Sequence, residues 1–245
     1  SCRGCDNYIT YPDWNPDKAE EMNKVAIPEL ERLAAQDKPW ALFLRHMDPH
    51  SPYYTKEPFT RMFYQGDEFD PNNKSLKPVY EFKPFRDYFL TWFPEGCTDA
   101  EFIIAQYDAA VAYMDLCINQ ILEKLKTLGL EEETIVVFTS DHGTIRVDNP
   151  VKVTGDRETS ANLRYKTGRN LAYNSRDVYE VLKPEDVQLP SSNLTSSYIF
   201  AYNTDFLVYN NDANRHIRYY RNTFQHGGIS MEEMIVPYIV LKPKE

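Results

Sequence analysis

The sequence contains no apolar run long enough to cross a membrane, and basic residues are the minority among its charges. Its 245 residues include 27 Lys and Arg against 37 Asp and Glu, which gives a formal net charge of −10. A nucleic-acid backbone is therefore disfavoured as a general partner, because phosphate binding needs clustered positive charge. No membrane partner is expected, since a spanning helix needs about 20 consecutive apolar residues. Any anionic ligand has to be small and held by a local group of basic residues.

The sequence also has few cysteines and no leader at its first residue. It begins with Ser1 and lacks a charged and then apolar segment, so we expect a fragment whose signal peptide is absent or already removed. Of Cys2, Cys5, Cys97 and Cys117, only the first two have paired spacing, which is a weak indication of zinc or redox chemistry. Cys117 falls in a predicted helix, where a small core residue is typical.

Two continuous apolar runs each lead directly into polar residues. Residues 134–140 are mostly β-branched or aromatic and are followed at once by Asp141, His142 and Gly143. Residues 40–44 form the second run. A strand that is apolar on both faces is typical of a buried parallel sheet, and such sheets bind ligands beyond the carboxyl ends of their strands. The alternative for Asp141 to Gly143 is an ordinary turn after a strand.

Helical patterns surround these runs. Residues 17–36 and 98–129 each begin with capping signals and repeat apolar residues at helical spacing, whereas residues 51–97 predict an ordered loop or a substrate lid. After residue 143 the segments are short, with a capped helix at Ser230 near the end. The predicted fold is α/β, a mostly parallel sheet flanked by helices, with a smaller mixed or antiparallel subregion after residue 143.

Histidine placement is the clearest chemical signal. The sequence has five histidines, and four of them lie at predicted strand ends or in a glycine turn: His46, His50, His142 and His226. Asp48 and Asp141 stand beside them, and carboxylates with imidazoles that converge from separate loops can hold a divalent metal. The metal ligands predicted are Asp141, His142, His226 and Asp48. The alternative is that these are hydrogen-bonded loop or turn residues.

A local basic group follows in residues 155–169, where Arg157, Arg164, Lys166 and Arg169 interrupt an otherwise acidic sequence. Such a group is commonly a solvated surface. Arginine and lysine can also clamp a phosphate or a sulfate, so we consider Arg164 and Lys166 as candidate substrate-binding residues.

Several motifs resemble the alkaline phosphatase superfamily. Residues 40–143 look like a sulfatase, through Met47-Asp-Pro-His-Ser-Pro-Tyr53, Gln106-Tyr-Asp-Ala-Ala-Val-Ala-Tyr-Met114 and Val-Phe-Thr-Ser-Asp-His-Gly143. Residues 141–245 look like a PglZ domain of PorX-type response regulators, through Asn-Leu-Arg-Tyr-Lys-Thr-Gly-Arg169 and Phe-Gln-His-Gly-Gly-Ile-Ser230. We therefore expect residues 1–245 to be one alkaline phosphatase-like domain with its N-terminal part missing, sulfatase-like over 1–143 and PglZ-like over 144–245.

The resemblance implies roles for individual residues. Asp141 and His142 match metal ligands in both families, calcium or magnesium in sulfatases and zinc in PglZ-type enzymes. His50 matches the sulfatase histidine that contacts the sulfate group, which makes it the candidate catalytic residue. Asp48 with His50 departs from the spacing of the second zinc site, and His226 matches the late histidine of that site.

One departure affects the expected activity. The modified Cys or Ser of sulfatases and the Thr or Ser of phosphodiesterases match nothing before residue 40. The resemblance implies a metal-dependent hydrolase of sulfuric or phosphoric esters, lacking its nucleophile, with a small anionic ester or a short oligonucleotide as substrate. The alternative is a catalytically inactive regulatory output domain that binds a metal or a nucleotide. For such a domain the PglZ resemblance implies a homodimer. A PglZ-like protein would be cytoplasmic, and a sulfatase-like one periplasmic or secreted.

Overall fold

The computed structural model describes residues 5–9, 18–53, 55–155, 162–190, 197–209 and 213–242. They fold as two units. The first contains the described residues up to Thr134 together with Lys242, and the second is Ile135–Leu241. In the described residues the first unit is helical, whereas the second contains all of the strands.

Four α-helices are found in the described part of the first unit: α1 (Lys18–Ala34), α2 (Lys77–Glu81), α3 (Lys83–Phe89) and α4 (Ala100–Thr127). The amide of Asn23 on α1 donates to the carbonyl oxygen of Cys117 on α4 at 2.8 Å. Cys117 is 2% exposed, which confirms its predicted core position. Among the described helices, none has the length and apolar content required for crossing a membrane.

The start of α4 differs by one residue from the prediction. The capping residue is Asp99, whose carboxylate accepts from the backbone N–H of Glu101 at 3.0 Å. The hydroxyl of Thr98, the cap predicted, donates instead to the carbonyl of Asp70 at 2.8 Å. The helix prediction is confirmed, since a carboxylate fills the same capping function as a hydroxyl.

Residues 51–97 are ordered around aromatic side chains. The rings of Phe89 and Phe93 stack with centroids 4.9 Å apart, and a buried cluster forms from Tyr64, Leu76, Phe93, Cys97, Phe102 and Ala105. Burial of several aromatic side chains supplies much of the apolar area of this part of the fold. The described part of this segment is therefore a packed part of the first unit. It contains α2 and α3, which the prediction of an ordered loop or a substrate lid did not include.

Nine strands are found in the described part of the second unit: β1 (Val136–Thr139), β2 (Ile145–Arg146), β3 (Asn149–Val153), β4 (Tyr165–Gly168), β5 (Val178–Val181), β6 (Ser197–Ala201), β7 (Asp205–Tyr209), β8 (Phe224–Gln225) and β9 (Tyr238–Leu241). Two helices accompany them, α5 (Ala213–Tyr220) and α6 (Met231–Met234). Buried apolar residues from β3, β5, β6 and β7 form one core cluster of this unit, and a second one forms from Ile145, Val147, Phe206, Val208 and Ala213.

The sheets are small and mixed. β3 pairs in parallel with β7, whereas the pairs β1 with β9, β2 with β8, and β6 with β4 and β5 are antiparallel. The structure is thus a mixed α/β protein. The mostly parallel sheet that the sequence predicted is not confirmed.

The predicted strand at residues 40–44 is wrong for this structure. These residues have no regular secondary structure, and the Phe43 side chain is 85% exposed. An apolar run becomes a strand only when a neighbouring strand accepts its hydrogen bonds. No strand lies beside this run within the described part of the first unit.

Candidate functional site

Strand pairing brings the two histidine segments of the second unit together. β2 and β8 are antiparallel, with Ile145 opposite Gln225. His142 precedes β2 by three residues, and His226 follows β8 directly. The two segments therefore leave the ladder at the same end. This register explains why residues more than 80 positions apart in sequence meet.

The imidazole rings of His142 and His226 stack. Their centroids lie 3.9 Å apart and their planes differ by 11°. The Nδ1 atom of His142 lies 2.9 Å from the carbonyl oxygen of Gly143. Because a carbonyl can only accept, a hydrogen bond here places a proton on Nδ1, and in the neutral ring the Nε2 lone pair then points to where a cation can bind.

Asp141 supplies an oxygen beside that nitrogen. Its Oδ1 lies 3.8 Å from Nε2 of His142. Typical bonds from zinc to nitrogen or oxygen are about 2.0 to 2.2 Å, so one ion can touch both atoms. The Asp141 side chain is 60% exposed, which leaves it accessible. These two residues fit a divalent cation as a pair of ligands.

A complete ligand set is not assembled. In the described portions of the chain, no group of three or more His, Cys, Asp or Glu side chains is arranged to hold a metal ion. His226 lies against the face of the His142 ring, whereas imidazole ligands bind metals through ring nitrogens in the ring plane. Asp141 and His142 are accordingly the better-placed candidates, and the ligand role of His226 stays a prediction.

Gly143 has a steric reason to be glycine. A Cβ at this position would collide with the backbone carbonyl oxygen of Glu232 and approach that of Ile235 to 3.3 Å. The N–H of Gly143 donates to the carbonyl of Glu233 at 2.8 Å. The residue after His142 is therefore packed directly against the backbone of α6.

The two glycines after His226 are also required by geometry. Gly227 has φ +101°, a conformation that side-chain-bearing residues rarely adopt. A Cβ on Gly228 would lie 2.5 Å from Oε2 of Glu233. The amide of Asn162 donates to the carbonyl of His226 at 3.2 Å. The His-Gly-Gly sequence is thus a turn fitted closely around a carboxylate and an amide.

Arg164 is fully buried and forms an ion pair with Glu233. Its Nε and Nη2 donate to Oε1 and Oε2 at 3.0 and 2.9 Å. Burial alone would raise the pKa of Glu233, but hydrogen bonds from Arg164, Gly228 and Ser230 lower it overall. The guanidinium is held inside the fold, and its predicted contact with substrate stays a prediction.

Lys166, the second basic candidate, is 1% exposed on β4. Its Nζ lies 4.5 Å from the ring centroid of Tyr209. Burial lowers the pKa of Lys166 to about 8, because the charged form is poorly solvated inside the fold. A role in substrate binding stays a prediction for this residue too.

The predicted site residues of the first unit surround the start of α1. Asp48 is 4% exposed, and its Oδ1 accepts from the N–H of Ala19 at 3.0 Å. His50 is exposed, and its Nδ1 lies 2.7 Å from the carbonyl of Ser51. Asp48 thus caps the start of α1 from a separate loop, and His50 lies on the exposed part of the same loop. Their roles as ligand and sulfate contact stay predictions.

Two buried polar atoms in this loop have no hydrogen-bond partner among the described residues, Nε2 of His46 and Oδ2 of Asp48. Burial raises the pKa of Asp48, partly opposed by the hydrogen bond from Ala19 and by the charges of His46 and Lys18. Burial also lowers the pKa of His46, and Asp48 opposes that shift. The two groups therefore influence each other electrostatically.

Nothing in the sequence indicated a role for Lys18, although its side chain bonds to three backbone carbonyls of the loop at residues 47–52. Its ammonium donates to the carbonyls of Met47, His50 and Pro52 at 3.1, 2.6 and 3.2 Å. Burial lowers the pKa of Lys18, against the raising effect of Asp48. A lysine in the first turn of a helix has no local signal for this function, because the three carbonyls lie about 30 residues further along.

We expect Lys18→Met to loosen this loop, since three carbonyls lose a charged donor. The free energy of unfolding should fall by about 2 kcal/mol, and amide hydrogen exchange at residues 47–52 should become faster. Lys24→Met is the control on the same helix, because Lys24 is 59% exposed in its pair with Glu21 and should change stability by less than about 0.5 kcal/mol. Equal exchange rates in both variants would contradict the role of Lys18.

The fold and the site define a mixed α/β protein with an acid and two imidazoles beside the short β2–β8 ladder. A family model described as Sulfatase matches residues 4–230. The chain belongs to the sulfatase family. The match continues past Gly143, where the sequence analysis expected a change to a PglZ domain. The comparisons do not show the PglZ resemblance, which stays a prediction.

Individual relatives agree with the family. The chain is 28% identical over 142 residues to iduronate 2-sulfatase of Mus musculus, covering 52% of this chain and 25% of that protein. It is 31% identical over 144 residues to endo-4-O-sulfatase of Bacteroides thetaiotaomicron, covering 56% and 25%. It is 22% identical over 138 residues to choline-sulfatase of Rhizobium meliloti, covering 51% and 26%. The chain thus matches about a quarter of the length of these relatives.

Proposed function

We propose that this chain carries part of the active site of a sulfuric ester hydrolase, with Asp141 and His142 as ligands of a divalent cation. The observation that supports it is the 3.8 Å approach of Asp141 Oδ1 to His142 Nε2, in a histidine whose other nitrogen is bonded to a carbonyl. Carbonyl bonding of that kind orients metal-binding imidazoles in many proteins. His226 stacks on the same ring.

Each residue has a defined task in this proposal. Asp141 contributes charge, His142 contributes a directed lone pair, and His226 covers one face of the His142 ring. The cation, when bound, polarises the oxygens of the ester. His50, which is exposed on its own loop, is the proposed contact of the sulfate group. The sulfatase resemblance implies calcium or magnesium and the PglZ resemblance implies zinc, and the phosphodiesterase alternative carries less support.

Metal binding tests the first part of the proposal. We expect calorimetric titration with calcium, magnesium and zinc chlorides to give one saturable site for at least one of these ions. Asp141→Ala should weaken it by roughly 100-fold, because a charged ligand in direct contact is lost, and loss of an indirect partner alone costs 10- to 100-fold. Asp177→Ala, at an exposed acid of the same unit, is the control and should bind like wild type. Equal affinity in both variants would end the assignment.

Turnover tests the second part. An aryl sulfate and a bis-aryl phosphate offered to the metal-loaded protein separate the sulfatase proposal from the phosphodiesterase alternative. Hydrolysis of the sulfate supports the proposal. Saturable metal binding with no turnover of either ester fits both a partial active site and the inactive regulatory domain, in agreement with the missing match to a family nucleophile.

A further inference from the structure

Glu233 connects both histidine segments of the second unit. Its backbone carbonyl accepts from the N–H of Gly143, the residue after His142, at 2.8 Å. Its side chain accepts from the N–H of Gly228, two residues after His226, at 2.8 Å. One residue of α6 therefore lies between the two chain segments that carry the stacked rings.

The carboxylate of Glu233 is fully used. Oε1 accepts from Arg164 Nε at 3.0 Å and from the Gly228 N–H. Oε2 accepts from Arg164 Nη2 at 2.9 Å and from the Ser230 N–H at 3.2 Å. A carboxylate offers about four acceptor positions, and here each has a donor. This leaves the group no freedom to rotate without losing a buried hydrogen bond.

Arg164 anchors the carboxylate to the sheet. Its Nη1 donates to the carbonyl of Asp205, the first residue of β7. Its backbone N–H donates to Oδ1 of Asn162 at 2.7 Å, and the amide of Asn162 in turn donates to the His226 carbonyl at 3.2 Å. The His226 turn is thus tied to the sheet through the side chains of both Glu233 and Asn162.

The energetics of buried ion pairs favour a positioning function for Arg164 and Glu233 over a purely stabilising one. A buried ion pair gives little net stability relative to well-packed apolar residues, because both charges lose their hydration. An apolar pair would fill the same volume, but it would leave the Gly228 and Ser230 N–H groups without their acceptor. What the ion pair uniquely provides is a fixed place for the turn that follows His226.

We propose that Arg164 and Glu233 are positioning residues that hold the His226-Gly227-Gly228 turn so that the His226 ring stays stacked on His142. Arg164 acts through Glu233 and does not touch the ligand itself. Glu233 acts through its side chain on one histidine segment and through its backbone carbonyl on the other. The structural part stands independently, whereas its consequence for metal affinity rests on the proposed function.

The test separates position from stability with a double variant. In Arg164→Met/Glu233→Leu both charges leave together, so the fold should survive, as judged by circular dichroism and the thermal midpoint. We expect the nuclear Overhauser effect between the ring protons of His142 and His226 to disappear. Where wild type binds Ca²⁺ or Zn²⁺, the dissociation constant should rise about tenfold or more.

A second bidentate pair provides the matched control. Arg61 and Glu68 in the first unit are joined by bonds of 3.0 and 2.5 Å. Arg61→Met/Glu68→Leu should keep both the ring contact and the affinity. Arg164→Lys keeps the charge but cannot bridge two oxygens, so it should weaken the contact between the His142 and His226 rings. This variant serves as the test if the double variant does not fold.

The outcomes distinguish the two proposals. A folded double variant, or a folded Arg164→Lys, that keeps the ring contact and the affinity of wild type overturns the positioning function. Loss of the ring contact in a protein whose wild type binds none of calcium, magnesium and zinc supports the positioning function and refutes the metal site. Loss of both supports both.

Discussion

Gly143→Ala is expected to lower the free energy of unfolding by about 3 kcal/mol and to separate the His142 and His226 rings. The added methyl group would overlap the backbone carbonyl of Glu232 and approach that of Ile235 to 3.3 Å. A flexible side chain could move away from such a contact, but a backbone carbonyl moves only with its helix. Overpacking in such a place typically costs 1 to 3 kcal/mol, occasionally more.

Gly129→Ala is the matched control for this prediction. Gly129 has φ +70° and open space around its Cβ position, so it measures backbone strain without a collision, at about 1 to 2 kcal/mol. Unfolding in urea compares the two variants, and the ring contact of the histidines is followed by nuclear magnetic resonance. If Gly143→Ala costs no more than Gly129→Ala and the rings remain in contact, the close approach of α6 to residue 143 is wrong.

The close approach of α6 gives Gly143 a reason to be glycine besides its turn conformation. From sequence, Gly143 could be glycine for its turn conformation alone. In the structure its N–H bonds to Glu233, and the missing side chain admits the backbone of α6. The sequence predicted Asp141, His142 and His226 as metal ligands. The structure places the rings of His142 and His226 3.9 Å apart, and the ligand role of the three residues stays a prediction.

Elements with strong local signals were predicted well. α1 and α4 lie where apolar residues recur at helical spacing, and α6 has the capping box expected at Ser230 and Glu233. Caps and periodicity depend on residues within one or two turns of each other, so a sequence window contains all the information they need.

Pairing was predicted poorly because it depends on distant residues. The apolar run before Asp141 formed β1, but its partner is antiparallel, Val136 opposite Leu241. Within the described residues β1 has this one neighbour, and Ile135 and Val137 are 64% and 43% exposed. Apolar content on both faces predicts burial in general. Apolar content does not identify the strand that pairs with the run.

The same limit applies to the charged residues of the site. Arg164 and Glu233 are 69 residues apart, and each has an ordinary local interpretation, one as part of a basic surface and the other as a helix cap. Their pairing could be inferred only after β4, β7 and α6 were in place. The charge of Arg164 and its place in a basic group predicted that it binds an anion. In the structure its buried guanidinium pairs with the carboxylate of Glu233.

Lys166→Met is expected to abolish a rise in stability between pH 8 and 10.5. An unfolded lysine has a pKa near 10.5, and burial lowers the pKa of Lys166 in the folded protein to about 8. Below pH 8 the folded protein must carry a poorly solvated charge, so the penalty is fully present there. Between the two pKa values the folded lysine is neutral while the unfolded one is still protonated, so stability increases with pH.

The shift corresponds to a gain of about 3 kcal/mol for wild type across this range. Urea unfolding at intervals from pH 7 to 10.5 should therefore show wild type gaining stability relative to Lys166→Met, which has no proton to lose. Lys166→Arg is the second comparison, because arginine stays charged throughout and retains the penalty at every pH. Parallel curves for wild type and Lys166→Met would show that the ammonium is well solvated, and Lys166 would again be available as a contact for an anionic ester.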